Sequence, residues 1–330
     1  MGFYVDMIDV GEGDAFLLSI EGNQGDLIVL VDGGPPSQGE MVAEYIKKNA
    51  NGTAHIVVAT HLDLDHIGGL KDVVTQSTVH RFFVNVPGQT RPSLRKFLRR
   101  KLLEGHTAGG DRKRLEKNLE TANDLVAALE KKGLDPEPIQ TGWSWPYGDT
   151  VLMALNPTPQ RLAEAWAEIL VEEDEQRTFA KAFVRTTAPD TSPENNSSVI
   201  LQVSYKRQPY ALMAGDAGAD VIREVTAGQT YRFLKVSHHG SKTGLDAQLA
   251  TQFKGSTAFI PVGDNPHGHP DTEVLELLHR NGAKTYCSQR TRNCWRDCPA
   301  TGFGNLCLPV DRDLRPNWST VDPNKCANNR

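Results

Sequence analysis

Residues 61–66 hold four potential metal ligands within six positions, and this density constrains the chain more than any other feature. The segment His61-Leu62-Asp63-Leu64-Asp65-His66 comes directly after the apolar run 56–60, which predicts a buried strand. Its two leucines can point into the protein while the polar side chains point outward. Because ionised carboxylates are costly to bury without a counter-ion, the loop predicts a bound divalent cation rather than a polar surface turn. Gly68 and Gly69 then let the backbone turn closely under the site.

Short apolar runs separated by turns occur in two blocks along the chain and predict two packed sheets. The first block predicts strands at 3–9, 15–20, 27–31 and 56–60, with a short helix at 41–48. The second block predicts strands at 151–155, 199–204, 210–214, 233–236 and 258–262. A longer helix that stops at Gly133 is predicted by apolar residues at helical spacing, namely Leu115, Leu119, Ala122, Val126 and Leu129. This arrangement favours an α/β fold in which two stacked sheets are covered by helices.

Three further groups of polar side chains also follow predicted strands. They are the carboxylate of Asp216, the pair His238 and His239, and the pair His267 and His269. A lone aspartate or histidine in such a place more often belongs to a turn or to the core. Because every group follows a strand, we expect the groups to converge with residues 61–66 at one edge of the sheets.

Taken in order, these motifs resemble the metallo-β-lactamase superfamily and, within it, the ComEC-like competence branch. The matching segments are Asp9–Ala15, Val31–Gly34, Thr60–Gly69, Glu194–Ser198, Ala214–Asp216, Ser237–Ser241 and Gly268–Pro270. The His-x-Asp-x-Asp-His motif is typical of the superfamily, and the His-His-Gly-Ser and Gly-His-Pro pair is typical of the branch. The resemblance implies an αββα sandwich of two mixed sheets. We expect this hydrolase domain over residues 1–285, with insertions at about 91–133 and 161–194, and a cysteine-containing tail over 286–330.

The resemblance also implies two divalent metal ions and a ligand for each position. His61 and Asp63 would bind one metal, and Asp65 and His66 would bind the other. Asp216 would bridge the two ions. The set would be completed by one further histidine, His238.

Residues around these ligands receive supporting roles from the same resemblance. Asp32 would brace the metal loop from behind. Asn195 and Asn196 stand where many relatives have a metal-binding histidine, which leaves one metal position open or weakly held. His239 and His269 would lie on the substrate side or behind the ligands. The catalytic candidates are Asp65, Asp216 and His269.

The implied chemistry is hydrolysis by a water whose pKa is lowered by two metal ions. Asp63 stands where many zinc relatives have histidine, so the ligand set is rich in oxygen and Mn²⁺ rivals Zn²⁺. ComEC proteins carry this domain beside a membrane channel, and no apolar run here approaches the roughly 18 residues of a membrane span. The first residues also lack the pattern of a secretory signal, so we expect a cytoplasmic protein.

The segment 91–114 is strongly basic, with nine Lys or Arg residues against Glu104 and Asp111. The formal net charge of the whole chain is −5, which gives no general attraction to nucleic acid. The stretch Arg91–Arg114 would have to supply a local site for a phosphate backbone. The other interpretation is a solvated, basic helical face.

All five cysteines follow residue 286, which sets the tail apart from the body. Four of them predict a structural zinc site, although the spacing lacks a pair of Cys-x-x-Cys units; these are Cys287, Cys294, Cys298 and Cys307. Two disulfides would be expected instead if the protein were exported. Unlinked thiols are the third interpretation, and it is the one favoured for Cys326.

The function that these observations favour is a metal-dependent phosphodiesterase or nuclease. A small-molecule hydrolase acting on a thioester, lactone or β-lactam is the alternative within the same fold. The basic stretch favours the first, and the negative net charge slightly favours the second. A non-catalytic binding module is disfavoured because the full ligand set is present.

Overall fold

The computed structural model describes residues 3–85, 110–170, 192–289, 291 and 306–310. For residues 110–116, 166–170 and 306–310 it describes the course of the backbone. Within these ranges the chain forms two mixed β-sheets that stack face to face, with helices on both outer surfaces. The predicted αββα sandwich is therefore confirmed.

The first sheet holds strands in the order β13-β1-β2-β3-β4-β5. They are β1 (Phe3–Met7), β2 (Phe16–Gly22), β3 (Gly25–Val31), β4 (Thr53–Val58), β5 (Thr78–Phe83) and β13 (Leu306–Val310). Strands β3, β4 and β5 run parallel, whereas the pairs from β13 to β3 are antiparallel. The parallel strands consequently end at one edge of the sheet.

The second sheet holds strands in the order β12-β11-β10-β9-β8-β7-β6. They are β6 (Ser144–Tyr147), β7 (Thr150–Asn156), β8 (Ile200–Tyr205), β9 (Gln208–Met213), β10 (Phe233–Lys235), β11 (Thr257–Ile260) and β12 (Lys284–Cys287). Strands β9 to β12 are parallel, and β6 to β9 are antiparallel. This sheet also gathers several strand ends at one edge.

Helices cover the outer face of each sheet. They are α1 (Gly39–Asn49), α2 (Leu64–Ile67), α3 (Leu70–Gln76), α4 (Gly110–Lys131), α5 (Pro159–Leu170), α6 (Pro193–Asn196), α7 (Ala219–Thr226), α8 (Ala247–Ala250) and α9 (Thr272–Arg280). Apolar residues of α1, α3 and α4 pack on the first sheet, and those of α7 and α9 pack on the second. None of the helices in the described ranges has the length and apolarity to cross a membrane.

Strand β3 shows why its sequence is almost entirely apolar. Leu27, Val29 and Val31 face the core between the sheets, while Ile28 and Leu30 face the helices outside. Side chains alternate between the faces of a strand, so a strand with both faces covered needs apolar residues at every position. The run 27–31 therefore predicts a central strand.

The observed elements extend the predicted ones in particular places. The predicted helix before Gly133 is confirmed as α4, which ends at Lys131. Strands β5, β6, β12 and β13 were not predicted. Strand β6 has the sequence Ser-Trp-Pro-Tyr, whose proline argues against a strand. Strand β12 crosses residue 285 and β13 pairs with β1, so described parts of the predicted tail contribute to both sheets.

Candidate metal centre

Side chains from both sheets meet at the edge where the parallel strands end. Strand β3 leads into Asp32, β4 into His61, β9 into Asp216 and β10 into His239. Ligand sites of α/β sheets form beyond the carboxyl ends of parallel strands because the loops there are free to carry polar groups. The sequence groups that followed separate strands are thus brought together.

Close backbone contacts hold the loop of residues 61–66 in place. Gly69 lies against the carbonyl oxygen of Gly33, and a Cβ atom at Gly69 would overlap that oxygen. The N–H of Gly33 donates to the carbonyl of His66 at 2.8 Å, and the N–H of Asp14 donates to the carbonyl of Asp65 at 3.0 Å. The predicted requirement for glycine under this loop is confirmed at Gly69.

Asp32 fixes the orientation of two histidines from beneath the loop. Its carboxylate is fully buried and accepts a hydrogen bond from His66 Nδ1 at 2.8 Å. It also accepts from the Thr60 hydroxyl at 2.7 Å, and that hydroxyl lies 3.0 Å from His61 Nδ1. Because the Thr60 proton is directed to Asp32, the hydroxyl oxygen accepts from His61 Nδ1–H. Both rings therefore present a Nε2 lone pair, which is the form in which imidazole binds metals.

His239 has the same orientation, although it comes from the other sheet. Its Nδ1 donates to the carbonyl oxygen of Pro261 at 2.9 Å. Its Nε2 lies 3.0 Å from Asp65 Oδ2 and 3.6 Å from Asp216 Oδ2. A backbone carbonyl thus fixes the tautomer in which Nε2 faces the carboxylates.

One carboxylate oxygen, Oδ2 of Asp216, stands at the centre of this arrangement. The Nε2 atoms of four histidines surround it, at 4.0 Å for His61, 3.3 Å for His66, 3.9 Å for His238 and 3.6 Å for His239. His61 Nε2 and His66 Nε2 are buried and have no hydrogen-bond partner among the described residues. Lone pairs aimed at a shared carboxylate require a cation between them, so the donor set fits bound divalent metal.

The pKa values of these groups reflect an excess of negative charge at the site. Burial lowers the pKa of His239, but Asp216 and the hydrogen bond with Asp65 outweigh burial and raise the pKa to about 9. Burial likewise opposes the carboxylates around His66, which raise its pKa well above the ordinary value. Burial raises the pKa of Asp216, while His66 and His239 lower it well below the usual range. The site stabilises positive charge.

Lys235 places an ammonium group directly behind Asp216. The Lys235 side chain is 1% exposed, and its Nζ donates to the carbonyl of Gly215 at 2.7 Å and lies 3.4 Å from Asp216 Oδ1. It also forms an ion pair with Asp14, a carboxylate that lies 3.6 Å from His66 Nδ1. Burial lowers the pKa of Lys235, but Asp14 and Asp216 raise it overall, so the amine stays charged. Lys235 therefore engages Oδ1 of Asp216 and leaves Oδ2 for the histidines.

The two adjacent histidines after β10 both face the site because the backbone there is left-handed. His238 has φ 51° and His239 has φ 52°, values that are uncommon outside glycine. His239 is buried beside Asp65 and Asp216, whereas the His238 side chain is 26% exposed. Burial lowers the pKa of His238 to about 4 against the opposing effect of Asp216. His239 is therefore the more enclosed of the two, although the resemblance assigned the ligand role to His238.

The remaining predicted residues lie around this centre. The ring of His269 is 5.7 Å from that of His238, and its Nδ1 is 3.7 Å from Asp271 Oδ2. Asn196 accepts a hydrogen bond from the N–H of Gly218 at 3.1 Å. Asn195 is buried in α6, where its N–H donates to the cap residue Ser192. These observations place His269 beside His238 and Asn196 in contact with the loop that follows Asp216.

Asp63 lies at the His61 side of the centre and is held by a residue that the sequence analysis did not single out. Its Oδ2 is 3.8 Å from His61 Nε2, and its Oδ1 accepts a hydrogen bond of 2.6 Å from the side-chain amide of Asn118. Asp14, Lys235 and Asn118 were all missed as site residues. Lys235 had a signal, since it is a charged residue inside an apolar strand.

Two predicted features fall on other parts of the chain. The basic stretch lies outside the described residues from 91 to 109, and its last residues are described as backbone of α4. Of the tail cysteines, Cys287 is buried among apolar residues beneath α9, and Cys307 lies on β13 opposite Asp6. The other tail cysteines lie outside the described ranges. The nucleic-acid and tail-zinc predictions stay predictions.

Comparison with known proteins gives a family match over most of the chain. Residues 8–263 match the family described as the Metallo-beta-lactamase superfamily. ComE operon protein 3 of Bacillus subtilis (strain 168) is 23% identical over 300 residues. That match covers 85% of this chain and 31% of the relative, so this chain spans less than a third of that protein.

Two solved structures are also similar to this chain. The metallo-beta-lactamase fold protein YhfI from Bacillus subtilis shares 10% identity at a TM-score of 0.42, covering 86% of this chain and 96% of that chain. Igni18, a metallo hydrolase from the archaeon Ignicoccus hospitalis, shares 15% identity at a TM-score of 0.42, covering 86% and 94%.

Proposed function

Since this chain belongs to the metallo-β-lactamase superfamily, in its ComEC-like branch, we propose that it is a metal-dependent phosphodiesterase that cleaves nucleic acid. The superfamily consists of metallo-hydrolases. The observation that carries the proposal is the convergence of fixed Nε2 lone pairs on Asp216 Oδ2. Imidazole nitrogens and carboxylates that converge on one buried point at a strand-end edge support a hydrolytic metal centre.

The charge of the centre supports two divalent ions. Five carboxylates lie within or directly behind it, and Lys235 contributes one positive charge; the carboxylates are Asp14, Asp32, Asp63, Asp65 and Asp216. The surplus of four negative charges matches two divalent cations. His61 and Asp63 would hold one ion, while Asp65, His66 and His239 would hold the other, with Asp216 shared. Zn²⁺ and Mn²⁺ both suit this mixed nitrogen and oxygen set.

When bound, such ions lower the pKa of a water molecule and polarise the bond that is cleaved. The protein supplies orientation and proton transfer. Lys235 holds Oδ1 of Asp216, so Oδ2 keeps its position among the imidazoles. Burial lowers the pKa of His269 and of His238 against nearby carboxylates, so both rings are neutral at pH 7 and can accept a proton. Asp271, 3.7 Å from His269 Nδ1, stabilises the imidazolium that results.

Nucleic acid is the proposed substrate because the chain concentrates basic residues in one stretch of its sequence, the last residues of which lie on α4. Nine Lys or Arg residues lie between 91 and 114, and α4 continues from that stretch to Asn118 beside Asp63. A phosphate backbone bound by residues 112–114, which lie on the same helix as Asn118, would be near the metal centre. Binding of this kind depends on charge and carries no base sequence preference.

A small-molecule hydrolase is the second candidate, and one pocket favours it. This pocket includes His61 and Asp63, and the rest of its lining consists of apolar, amide and hydroxyl side chains with one further carboxylate, that of Glu194. No lysine or arginine is among the residues that the structure places in its lining. Such a pocket suits the uncharged part of a thioester or lactone.

The test is a substrate panel with the full chain loaded with Zn²⁺ or with Mn²⁺. Single-stranded DNA, RNA and bis-p-nitrophenyl phosphate are compared with a thioester, a lactone and a β-lactam. Phosphodiester cleavage is the expected result. Cleavage confined to the acyl compounds would favour the second candidate, and absence of metal binding would overturn both.

Variants then assign the residues. Asp216→Asn should lose metal and activity together, because the shared oxygen is removed from the centre. His269→Ala should keep its metal and lose turnover by about 10²–10⁴-fold if this ring moves a proton. His80→Ala, an exposed histidine on β5, is the matched control and should change neither. Full activity in both site variants would place the active site elsewhere.

A further inference from the structure

Helix α4 brings a single amide to the metal centre, and its contact is with one carboxylate. We propose that Asn118 is a positioning residue that holds Asp63 in the orientation required for metal binding. The Asn118 side-chain nitrogen donates to Asp63 Oδ1 at 2.6 Å. The inference rests on the proposed metal-dependent function and concerns the metal position that His61 and Asp63 share.

The two oxygens of Asp63 make different contacts. Oδ1 accepts from Asn118, and Oδ2 lies 3.8 Å from His61 Nε2 on the side of the centre. An ionised carboxylate can accept hydrogen bonds but cannot donate them, so the amide must turn its nitrogen toward Asp63. Without this donor the carboxylate is free to rotate, because 18% of the side chain is exposed to solvent.

Helix α4 is a firm support for this contact. Ala122, Val126 and Leu129 are buried against the outer face of the first sheet. The Lys132 ammonium, just beyond the end of the helix, donates to the carbonyl of Thr75 at 2.9 Å. Asn118 is therefore attached to the sheet that also carries His61.

Asn118 is a poor choice for the stability of the helix itself. It is 4% exposed and lies beside the buried Leu119, one turn before Ala122. Its Oδ1 is buried and has no hydrogen-bond partner among the described residues. An unsatisfied buried carbonyl costs free energy that an aliphatic side chain of similar size would avoid. The amide at this position is explained by the carboxylate that it orients.

The experiment measures binding of Zn²⁺ and of Mn²⁺ to the full chain by competition with a chromophoric chelator, together with the melting temperature of the metal-free protein. Asn118→Leu keeps the volume and removes the donor. We expect one of the two binding steps to weaken by about 10–100-fold, the usual effect of losing a group that orients a ligand. We expect the metal-free melting temperature to stay equal to that of the wild type or to rise.

Two further variants separate positioning from packing. Leu125→Ala loosens the buried face of the same helix without touching Asp63, so it should lower the melting temperature and leave both metal affinities unchanged. In an Asp63→Ala background, Asn118→Leu should cause no additional loss of affinity, because its partner is already absent.

The outcomes are distinguishable from those that test the function. If the wild type binds neither metal, the proposed function fails. If the wild type binds metal and Asn118→Leu binds it equally well, this inference alone is overturned. It is also overturned if Asn118→Leu weakens binding by the same factor with and without Asp63, or if Leu125→Ala weakens binding to the same extent.

Discussion

Removing the metals should make the stability of this protein depend steeply on pH, because His239 then takes the place of a cation. With no metal bound, a protonated His239 lies 3.0 Å from Asp65 Oδ2 and 3.6 Å from Asp216 Oδ2. These carboxylates outweigh the effect of burial and raise the pKa of His239 to about 9. A histidine that binds metal must lose this proton. Metal and proton therefore compete for the same nitrogen.

The magnitude follows from the difference between the folded and unfolded pKa values. The ordinary value is about 6.5, and each unit corresponds to about 1.4 kcal/mol, so His239 contributes on the order of 3 kcal/mol to the metal-free protein. Because the folded value is the higher one, the contribution is fully present below pH 6.5 and is lost as the pH rises through about 9. His66, whose pKa is also raised, changes stability in the same direction.

The assay is urea unfolding in the presence of a chelator at intervals between pH 6 and pH 9.5, repeated with saturating metal. The metal-free protein should lose stability across this range, and the metal-bound protein should lose less. His239→Gln should make the metal-free curve shallower, whereas His80→Gln, on the exposed face of β5, should leave it unchanged. A metal-free curve that is flat, or equally steep without His239, would refute the reasoning.

Two further changes test other parts of the site. Lys235→Met leaves Asp14 and Asp216 buried without their ammonium partner. The free energy of unfolding of the metal-free protein, measured in urea, should therefore fall by about 3–5 kcal/mol. The exposed control Lys254→Met should change it little. Equal stability of the two variants would contradict the assigned ion pairs. The second change neutralises four residues of the basic stretch, namely Arg95, Lys96, Arg99 and Arg100. It should weaken binding of single-stranded DNA and reduce the slope of log affinity against log salt by about 0.7 per lost phosphate contact. Cleavage of bis-p-nitrophenyl phosphate should persist. An unchanged salt slope would show that the stretch is a solvated face.

The sandwich could be predicted because its strands carry their pattern locally. The run from Leu27 to Val31 is apolar at every position since both faces are covered, and the polar residue that follows marks the strand end. Asp32, His61 and Asp216 each occupy such a strand end. A rule that depends only on neighbouring residues was therefore enough to group them.

The roles of the two histidines after β10 could not be predicted in this way. His238 and His239 are adjacent, and in an extended strand they would point to opposite faces. Their left-handed backbone turns both toward Asp216, and which of them is enclosed depends on Pro261, a residue contributed by the next strand connection. That choice is made by tertiary contacts rather than by spacing.

Asn118 and Lys235 illustrate a second limit. Each is a polar residue within an apolar pattern, on α4 and on β10, which marks it as unusual. The pattern gives no indication of the partner, because Asp63 and Asp14 are 55 and 221 residues away in sequence. Only the stacking of the two sheets and of α4 brings the partners together.

The buried carboxylate of Asp32 sets the tautomers of His61 and His66, although it lies behind these rings. Its Oδ2 accepts hydrogen bonds from His66 Nδ1 and from the Thr60 hydroxyl, and that hydroxyl in turn accepts one from His61 Nδ1. Exchanging that one oxygen for an amide nitrogen, with no change of volume, would direct hydrogens at groups that now donate. Both rings would have to reverse their tautomers, and two lone pairs would become N–H groups facing the carboxylates. A single atom at the base of the site thus decides whether His61 and His66 present lone pairs or N–H groups to the carboxylates.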